Sequence, residues 1–186
     1  MLDVEFGRRR LLSGALLGGA MMTLGAGKAF AAGTQTERRI AFRNVHTNES
    51  FDARFFGPSG WDKQGLAELN HGLRDWRNND VTQMDPELML LLSQIRDKLD
   101  VAPQTKINLI SGYRSPATNG ALRASGHSGV ASKSQHMLGK ATDIQMPGVA
   151  LDRLHMAAMS MQAGGVGYYP RDGFVHVDTG RVRHWG

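Results

Sequence analysis

Alternating hydrophobic and polar positions after residue 32 predict a β-hairpin. Residues 39–45 and 51–55 both alternate, and the polar turn Thr47-Asn48-Glu49 separates them. Short apolar runs further along the chain predict additional strands. These runs lie at 106–111, at 141–146, near 167–169 and at 173–178.

Apolar residues at helical spacing predict four helices among these strands. Their expected starts are Asp62, Asp85, Ser115 and Leu151, and the first should run to about Asn79. Asp85 and Ser115 each precede a proline, which combines an N-cap with a favourable first helical residue. Helices come first and antiparallel strands later, so the fold class predicted is α+β, a central antiparallel sheet flanked by helices.

The first 31 residues have the pattern of a targeting segment. Arg8, Arg9 and Arg10 precede a glycine-interrupted apolar run that ends near Gly27, and Ala29-Phe30-Ala31 offers a small-residue cleavage site. The adjacent arginines resemble a twin-arginine (Tat) signal. The run is too short and too diluted for a membrane anchor, which needs about 20 apolar residues. We therefore expect a cleaved signal at 1–31, export to the periplasm by the Tat machinery, and a single domain at 32–186.

Composition narrows the chemistry that the domain can perform. Hydrophobic residues make up 41% of the chain, enough for a sizeable core. There are no cysteines, so disulfides and thiolate metal sites are excluded, and any metal must bind to His, Asp or Glu. The net charge is +5, of which residues 1–31 hold +2 (four basic against two acidic residues). The remaining +3 argues against nucleic acid as a partner.

One candidate pair of metal ligands is His136 and Asp143. In a continuous strand they would be roughly 23 Å apart, and in a continuous helix roughly 10 Å. Neither arrangement lets both side chains reach one ion. A reversal near Leu138-Gly139 would bring them together, because glycine permits the positive φ of a tight turn. The chain would then return as a strand with Asp143 on one face.

A second candidate segment is the apolar strand at 173–178. Alternation places Phe174, His176 and Asp178 on one face, with Val175 and Val177 in the core. A histidine and an acid facing one cleft would suit a functional site, whereas a half-exposed edge strand would give the same pattern. The strand alone does not decide between these readings.

Several motifs together resemble a known family. The pattern Ser134-x-His136-x-x-Gly139-x-Ala141-x-Asp143, followed by His176 on a later strand, is similar to the zinc motif of the D-Ala-D-Ala peptidase group. That group includes VanX-type dipeptidases, and its fold is of the Hedgehog/D-Ala-D-Ala peptidase type. The similarity extends from the Tat-like signal through 164–170 to 183–185, and over this length the chain resembles the YcbK-type murein endopeptidases of Gram-negative bacteria.

The resemblance implies one Zn²⁺ per chain, bound by His136, Asp143 and His176 in a cleft on the sheet. Three protein ligands would leave the fourth position for water, as in catalytic zinc sites. Arg114, in Ser111-Gly112-Tyr113-Arg114-Ser115, matches the group's substrate-arginine segment and could hold a carboxylate or stabilise an oxyanion. Ser134 could hydrogen-bond the peptide substrate or brace its loop.

The general base is the point at which the chain departs from the wider group. Many members place a Glu three residues before the last zinc histidine or a His two before it, whereas this chain has Gly173 and Phe174. Asp178 and His184 are equally ranked candidates, and Asp172 stands behind them. Asp178 could instead orient a ligand imidazole.

The function expected is hydrolysis of peptide cross-links in peptidoglycan by an exported zinc peptidase. A D,D- or L,D-carboxypeptidase or dipeptidase on the same scaffold is an alternative. A catalytically silent zinc module that binds the cell wall is another, and the missing glutamate is its main support. The expected partners are peptidoglycan peptides and, for the precursor, the Tat export machinery, without a stable membrane anchor.

Overall fold

The computed structural model describes residues 37–126 and 130–186. These described residues belong to one unit of the chain, 34–186. The predicted signal at 1–31 lies outside them. None of the helices in the two described segments has the length and apolar character needed to span a membrane.

A single eight-stranded sheet organises the described residues. Its strands are β1 (Arg38–Asn44), β2 (Ser50–Gly57), β3 (Gly60–Trp61), β4 (Ile107–Ser111), β5 (Ala141–Gln145), β6 (Gly165–Tyr169), β7 (Phe174–Asp178) and β8 (Arg183–Trp185). Their spatial order is β3-β2-β1-β4-β5-β7-β6-β8. The predicted hairpin is confirmed as the antiparallel pair β1–β2.

The sheet is mixed: the predicted antiparallel pairing is confirmed for most neighbouring strands, but two pairs are parallel. β1 runs parallel to β4, because a long connection with two helices carries the chain back to the same end of the sheet. β8 runs parallel to β6, because β7 pairs antiparallel with β6 and the chain then reverses once more. In the middle of the sheet, β5 pairs antiparallel with both β4 and β7, as expected.

Four helices are present in the described residues: α1 (Lys63–Gly72), α2 (Pro86–Lys98), α3 (Pro116–Ala124) and α4 (Leu151–Ser160). Asp62, Asp85 and Ser115 cap the first three, each accepting hydrogen bonds from backbone N–H groups of the first turn. The first helix ends at Gly72 and not near Asn79 as predicted. The polar residues that follow form a turn closed by hydrogen bonds from Asn78 and Asn79 to the carbonyl of Asp75.

The two faces of the sheet have different roles. Alternate residues of the central strands, such as Leu109, Ile144, Val175 and Val177, are buried in the hydrophobic core. Helices α2 and α4 contact the sheet and each other as part of that core. The intervening residues of β5 and β7 point to the opposite face, which carries the candidate site.

Candidate metal centre

A 3₁₀ turn places His136 beside the sheet. It spans Gln135–Leu138, and the Ser134 hydroxyl caps it by accepting a hydrogen bond from the His136 backbone N–H at 3.3 Å. Gly139 ends the turn in the left-handed region with φ of 67°. A Cβ at this residue would lie 2.6 Å from the carbonyl oxygen of Gln83. The reversal expected at Leu138-Gly139 is therefore confirmed, and glycine is required there for both reasons.

Strand register brings the other two candidate ligands together. Asp143 on β5 is the direct antiparallel partner of His176 on β7. Directly paired residues project to the same face with Cβ atoms about 5 Å apart. Phe174, His176 and Asp178 share that face as predicted, while Val175 and Val177 are in the core.

His136, Asp143 and His176 form a compact group that could hold a metal ion. His136 Nε2 lies 3.2 Å from both Asp143 Oδ1 and His176 Nδ1, and His176 Nδ1 lies 2.8 Å from Asp143 Oδ1. Ligand atoms around a tetrahedral zinc are about 3.3 Å apart when the bonds are about 2.0–2.1 Å. The spacing therefore fits one zinc-sized ion, and all three residues are buried.

The outer hydrogen bonds of both histidines fit metal binding at the inner nitrogens. His136 Nδ1 is 2.7 Å from the Gly112 carbonyl oxygen and must carry the proton that it donates. His176 has a carboxylate at each ring nitrogen, with Nε2 3.0 Å from Asp178 Oδ2 and Nδ1 2.8 Å from Asp143 Oδ1. When Nε2 carries the proton and donates to Asp178, the nitrogens of both rings that face Asp143 have lone pairs available for a metal.

The pKa shifts of the three clustered side chains indicate that the cluster is stabilised by an additional positive charge between them. Burial lowers the pKa of His136, with Asp143 opposing that effect. Burial would raise the pKa of Asp143, but the two histidines outweigh it and hold the pKa well below its usual range. Burial also lowers the pKa of His176, yet hydrogen bonds to Asp143 and Asp178 raise it overall. A proton on His176 or a metal ion between the three ligand atoms would satisfy the cluster. The residues present thus fit the metal that the motif implies.

Asp178 serves as the partner of His176 and is itself saturated with hydrogen bonds. Its carboxylate also accepts from the backbone N–H groups of Gly165 and Gly180, and from Arg183 at 2.6 and 3.0 Å. Burial tends to raise the pKa of Asp178, but His176, Arg183 and the backbone donors lower it overall. A carboxylate held this way orients its histidine and is poorly suited to accept a proton from water.

Arg114 contacts the candidate metal ligands directly. Its Nη2 donates to Asp143 Oδ2, and its Nε donates to Ser111 Oγ at 2.8 Å. The guanidinium therefore orients Asp143 from the side opposite the histidines. Sequence reasoning assigned Arg114 to the substrate and missed this second contact. Arg114 also lines the cleft, as does Ser134.

His184 is not brought to the site. The neighbouring residues Arg183 and Trp185 point toward Asp178 and His176, so His184 projects to the other face of β8. It is exposed. Burial lowers the pKa of His155, and the nearby His184 adds to this lowering. His184, a candidate base from the sequence, does not line the cleft, because β8 adds to the sheet with the neighbouring residues facing inward.

The candidate site opens into a cleft of about 720 Å³. One wall is aromatic: Tyr169 stacks on Phe174, and Trp185 donates its indole N–H to the Tyr169 hydroxyl at 2.8 Å. Asp172, at the turn between β6 and β7, lines the same cleft. Sequence reasoning missed Trp185 and Arg183, although the short alternation at 183–185 was a usable signal for an edge strand.

A buried His–Asp–His group at the base of an open cleft is the arrangement of mononuclear catalytic metal sites in hydrolases. Residues 32–185 match the model of the family described as peptidoglycan L,D-endopeptidase MepK, and the chain belongs to that family. The chain is 45% identical to the peptidoglycan L,D-endopeptidase MepK of Escherichia coli K12, over 96% of both chains. It is 41% identical to a probable peptidoglycan L,D-endopeptidase MepK of Haemophilus influenzae, over 82% of this chain and 81% of the relative. No solved structure matched.

Proposed function

We propose that this protein is a zinc-dependent endopeptidase that hydrolyses peptide cross-links of peptidoglycan, at the L,D bonds named for its relatives. The observation that carries the proposal is the convergence of His136 Nε2, Asp143 Oδ1 and His176 Nδ1 within 3.2 Å of one another at a cleft. Membership of the endopeptidase family supplies the substrate class. One zinc ion per chain is proposed.

The protein's own residues prepare the site in defined ways. A zinc ion bound here would supply a Lewis acid and a water of lowered pKa. The Gly112 carbonyl and the Asp178 carboxylate hold the two imidazoles in the ligand tautomer. Arg114 orients Asp143, and its positive charge at the cleft would stabilise negative charge developing on the scissile carbonyl oxygen.

We further propose Asp172 as the acid–base residue. Of the three candidates from the sequence, Asp178 is saturated by donors and His184 faces away. Asp172 lines the cleft and is exposed, so its carboxylate is free to accept the proton of an attacking water and return it to the leaving amine. The turn at residues 170–173 connects it directly to the ligand strand β7.

Residues 1–31 are proposed to be a Tat signal that delivers the folded domain to the periplasm, where the substrate lies. The match to the family begins at residue 32, next to the proposed cleavage site. Edman sequencing of the exported protein should give an N-terminus at Ala32. Replacing Arg8 and Arg9 by lysine should retain the precursor in the cytoplasm.

The activity is tested on purified L,D-cross-linked muropeptide dimers, with product masses recorded. We expect two monomers from the zinc-loaded protein and no turnover from His136→Ala, which should remain folded because the core does not include this ligand. Ser93→Ala, at a buried polar residue of α2 that does not line the cleft, is a matched control for the effect of substituting a buried polar residue. Release of a single terminal residue instead would indicate a carboxypeptidase. Binding to sacculi without any product would indicate a silent wall-binding module.

A further inference from the structure

The positive charges that line the cleft are not equivalent. In the part of the chain that the structure describes, the lysines and arginines at the cleft are Arg77, Arg114, Lys133 and Arg183. Arg114 is occupied by Asp143 and Ser111, and Arg183 by Asp178. Lys133 lies in an exposed loop next to residues 127–129, which are not described. Of these four side chains, Arg77 is the one whose surroundings are described and whose guanidinium is not held by a close acidic partner among the described residues.

The turn that carries Arg77 is fixed to the rest of the site. The buried Asp75 carboxylate accepts from the backbone N–H of Arg77 at 3.2 Å and from that of Ser115 at 2.9 Å. Asn78 adds a hydrogen bond to the Ser115 hydroxyl at 3.0 Å. Ser115 caps α3 immediately after Arg114, so the turn is tied to the segment that orients the metal ligand.

The Arg77 guanidinium lies over an aromatic ring. Its Cζ is 4.3 Å from the centre of the Trp76 ring, and the His46 ring also stacks on Trp76, with ring centres 4.2 Å apart. His46 is held in turn by a 3.2 Å contact to the Ile110 carbonyl. Stacking uses the face of a guanidinium and leaves its N–H edge available for planar anions.

The nearest acidic side chain among the described residues, Asp75, does not form a close ion pair with Arg77. Asp75 Oδ1 is 4.0 Å from Arg77 Nη1, the long limit for an ion pair, and Asp75 is already occupied by backbone and hydroxyl donors. The Arg77 side chain remains 32% exposed on the cleft wall. Arg77 lines the same cleft as the three candidate metal ligands.

We propose that Arg77 is a binding site for a free carboxylate of the peptide substrate, a role that rests on the proposed function. A carboxylate is favoured because the guanidinium of Arg77 is partly exposed on the cleft wall and can offer two parallel N–H donors to a planar anion. Peptidoglycan stem peptides are rich in free carboxylates on D-centres and on the diamino acid. A carboxylate bound at Arg77 would hold one flank of the cross-link while the scissile bond lies at the metal ligands.

The test compares two substrates that differ only in charge. One is an L,D-cross-linked muropeptide dimer with free carboxylates, and the other is the same dimer with all of these peptide carboxylates amidated. Arg77→Gln should lower kcat/KM on the free dimer about 10–100-fold, the range for loss of a charge-assisted hydrogen bond, mainly through KM. On the amidated dimer the variant and the wild type should be nearly equal. Arg77→Lys keeps the charge but loses the planar pair of N–H donors. Its kcat/KM on the free dimer should lie between those of the wild type and Arg77→Gln.

Arg153→Gln, an exposed arginine on α4, is the matched control and should leave both rates unchanged. Zinc content and the circular dichroism spectrum should be the same in all variants. If Arg77→Gln loses equal activity on both dimers, or none on either, Arg77 does not bind the carboxylate and this inference fails while the endopeptidase activity stands. If the wild-type protein cleaves neither dimer, the proposed function fails, and the inference with it.

Discussion

Each candidate metal-ligating histidine is oriented through the ring nitrogen that faces away from the cluster. For His136 the partner is neutral, the carbonyl of Gly112, and for His176 it is the charged carboxylate of Asp178. A carboxylate partner raises the basicity of the imidazole more than a carbonyl does. His176 is therefore expected to be the stronger donor of the two, and its strength depends on Asp178 remaining ionised.

Substitutions at three residues separate metal binding from proton transfer. Asp178→Asn should weaken zinc affinity about 10–100-fold, because it removes the charge that orients His176. Asp172→Asn should retain zinc and lower turnover about 10²–10⁴-fold, as expected for loss of an acid–base group. The measurements are zinc content after dialysis against a weak chelator and turnover on the muropeptide dimer.

His184→Ala is the control for this pair, because it removes an ionisable group from the opposite face of β8. It should keep both zinc and turnover. A large loss of turnover in His184→Ala with zinc retained would restore this residue as a candidate base. Normal turnover in Asp172→Asn would exclude Asp172.

At the scale of elements, the 3₁₀ turn and its closing glycine determine where the first ligand lies. Gly139→Ala should be costly for two reasons: a left-handed backbone, about 1–2 kcal/mol, and overpacking against Gln83, about 1–3 kcal/mol more. The free energy of unfolding, measured by urea denaturation, should fall accordingly, and zinc affinity should fall with it.

Gly148→Ala is the matched control for the backbone effect. Gly148 has φ of 78°, but a Cβ there would meet nothing within 4 Å. The free energy of unfolding of this variant should fall only by the backbone contribution, and its zinc affinity should be unchanged. If the free energy of unfolding fell equally in the two variants, the close approach of the new Cβ to Gln83 would not contribute to the destabilisation.

The elements that build the site were largely predictable from sequence. The Asp85 and Ser115 caps, the reversal at Gly139 and the shared face of His176 and Asp178 follow from local rules, and the structure has all of them. Local rules succeed here because caps, turns and alternation are set by neighbouring residues.

The features that sequence reasoning missed are non-local. The contact between Arg114 and Asp143 joins residues 29 positions apart, and β8 depends on pairing with β6. The length of α1 was overestimated because Trp76 continues the apolar spacing, although its ring stacks on His46. Such contacts depend on the strand order, which no local pattern specifies.

At the scale of the whole molecule, a buried carboxylate makes stability sensitive to acid. Burial would raise the pKa of Asp75, but hydrogen bonds from Thr118, Ser115 and Arg77 outweigh it and lower the pKa overall. A lowered pKa means that Asp75 stabilises the fold above about pH 4, its ordinary titration range, and that this contribution disappears as the pH falls further.

The measurement is urea denaturation of the wild type and Asp75→Asn at pH 7 and pH 3. The wild type should be more stable at pH 7, because the asparagine amide cannot accept the same set of donors. The difference should begin to shrink at pH 3, because the Asp75 carboxyl of the unfolded chain is then largely protonated while the lowered pKa still favours the ionised form in the native protein. A difference that stays constant between the two pH values would show that the charge of Asp75 contributes nothing.

Strands β5 and β7 lie in the interior of the sheet, and both edges, β3 and β8, are only two and three residues long. A substrate therefore cannot be gripped beside the metal ligands by strand addition, the mode in which many proteases and peptide-binding domains read an L-peptide backbone. Substrate recognition must then come from side chains and loops around the cleft, and these do not require the extended all-L backbone that strand pairing requires. Extended all-L peptidomimetics should accordingly make poor inhibitors, whereas compact ligands of mixed chirality suit this architecture.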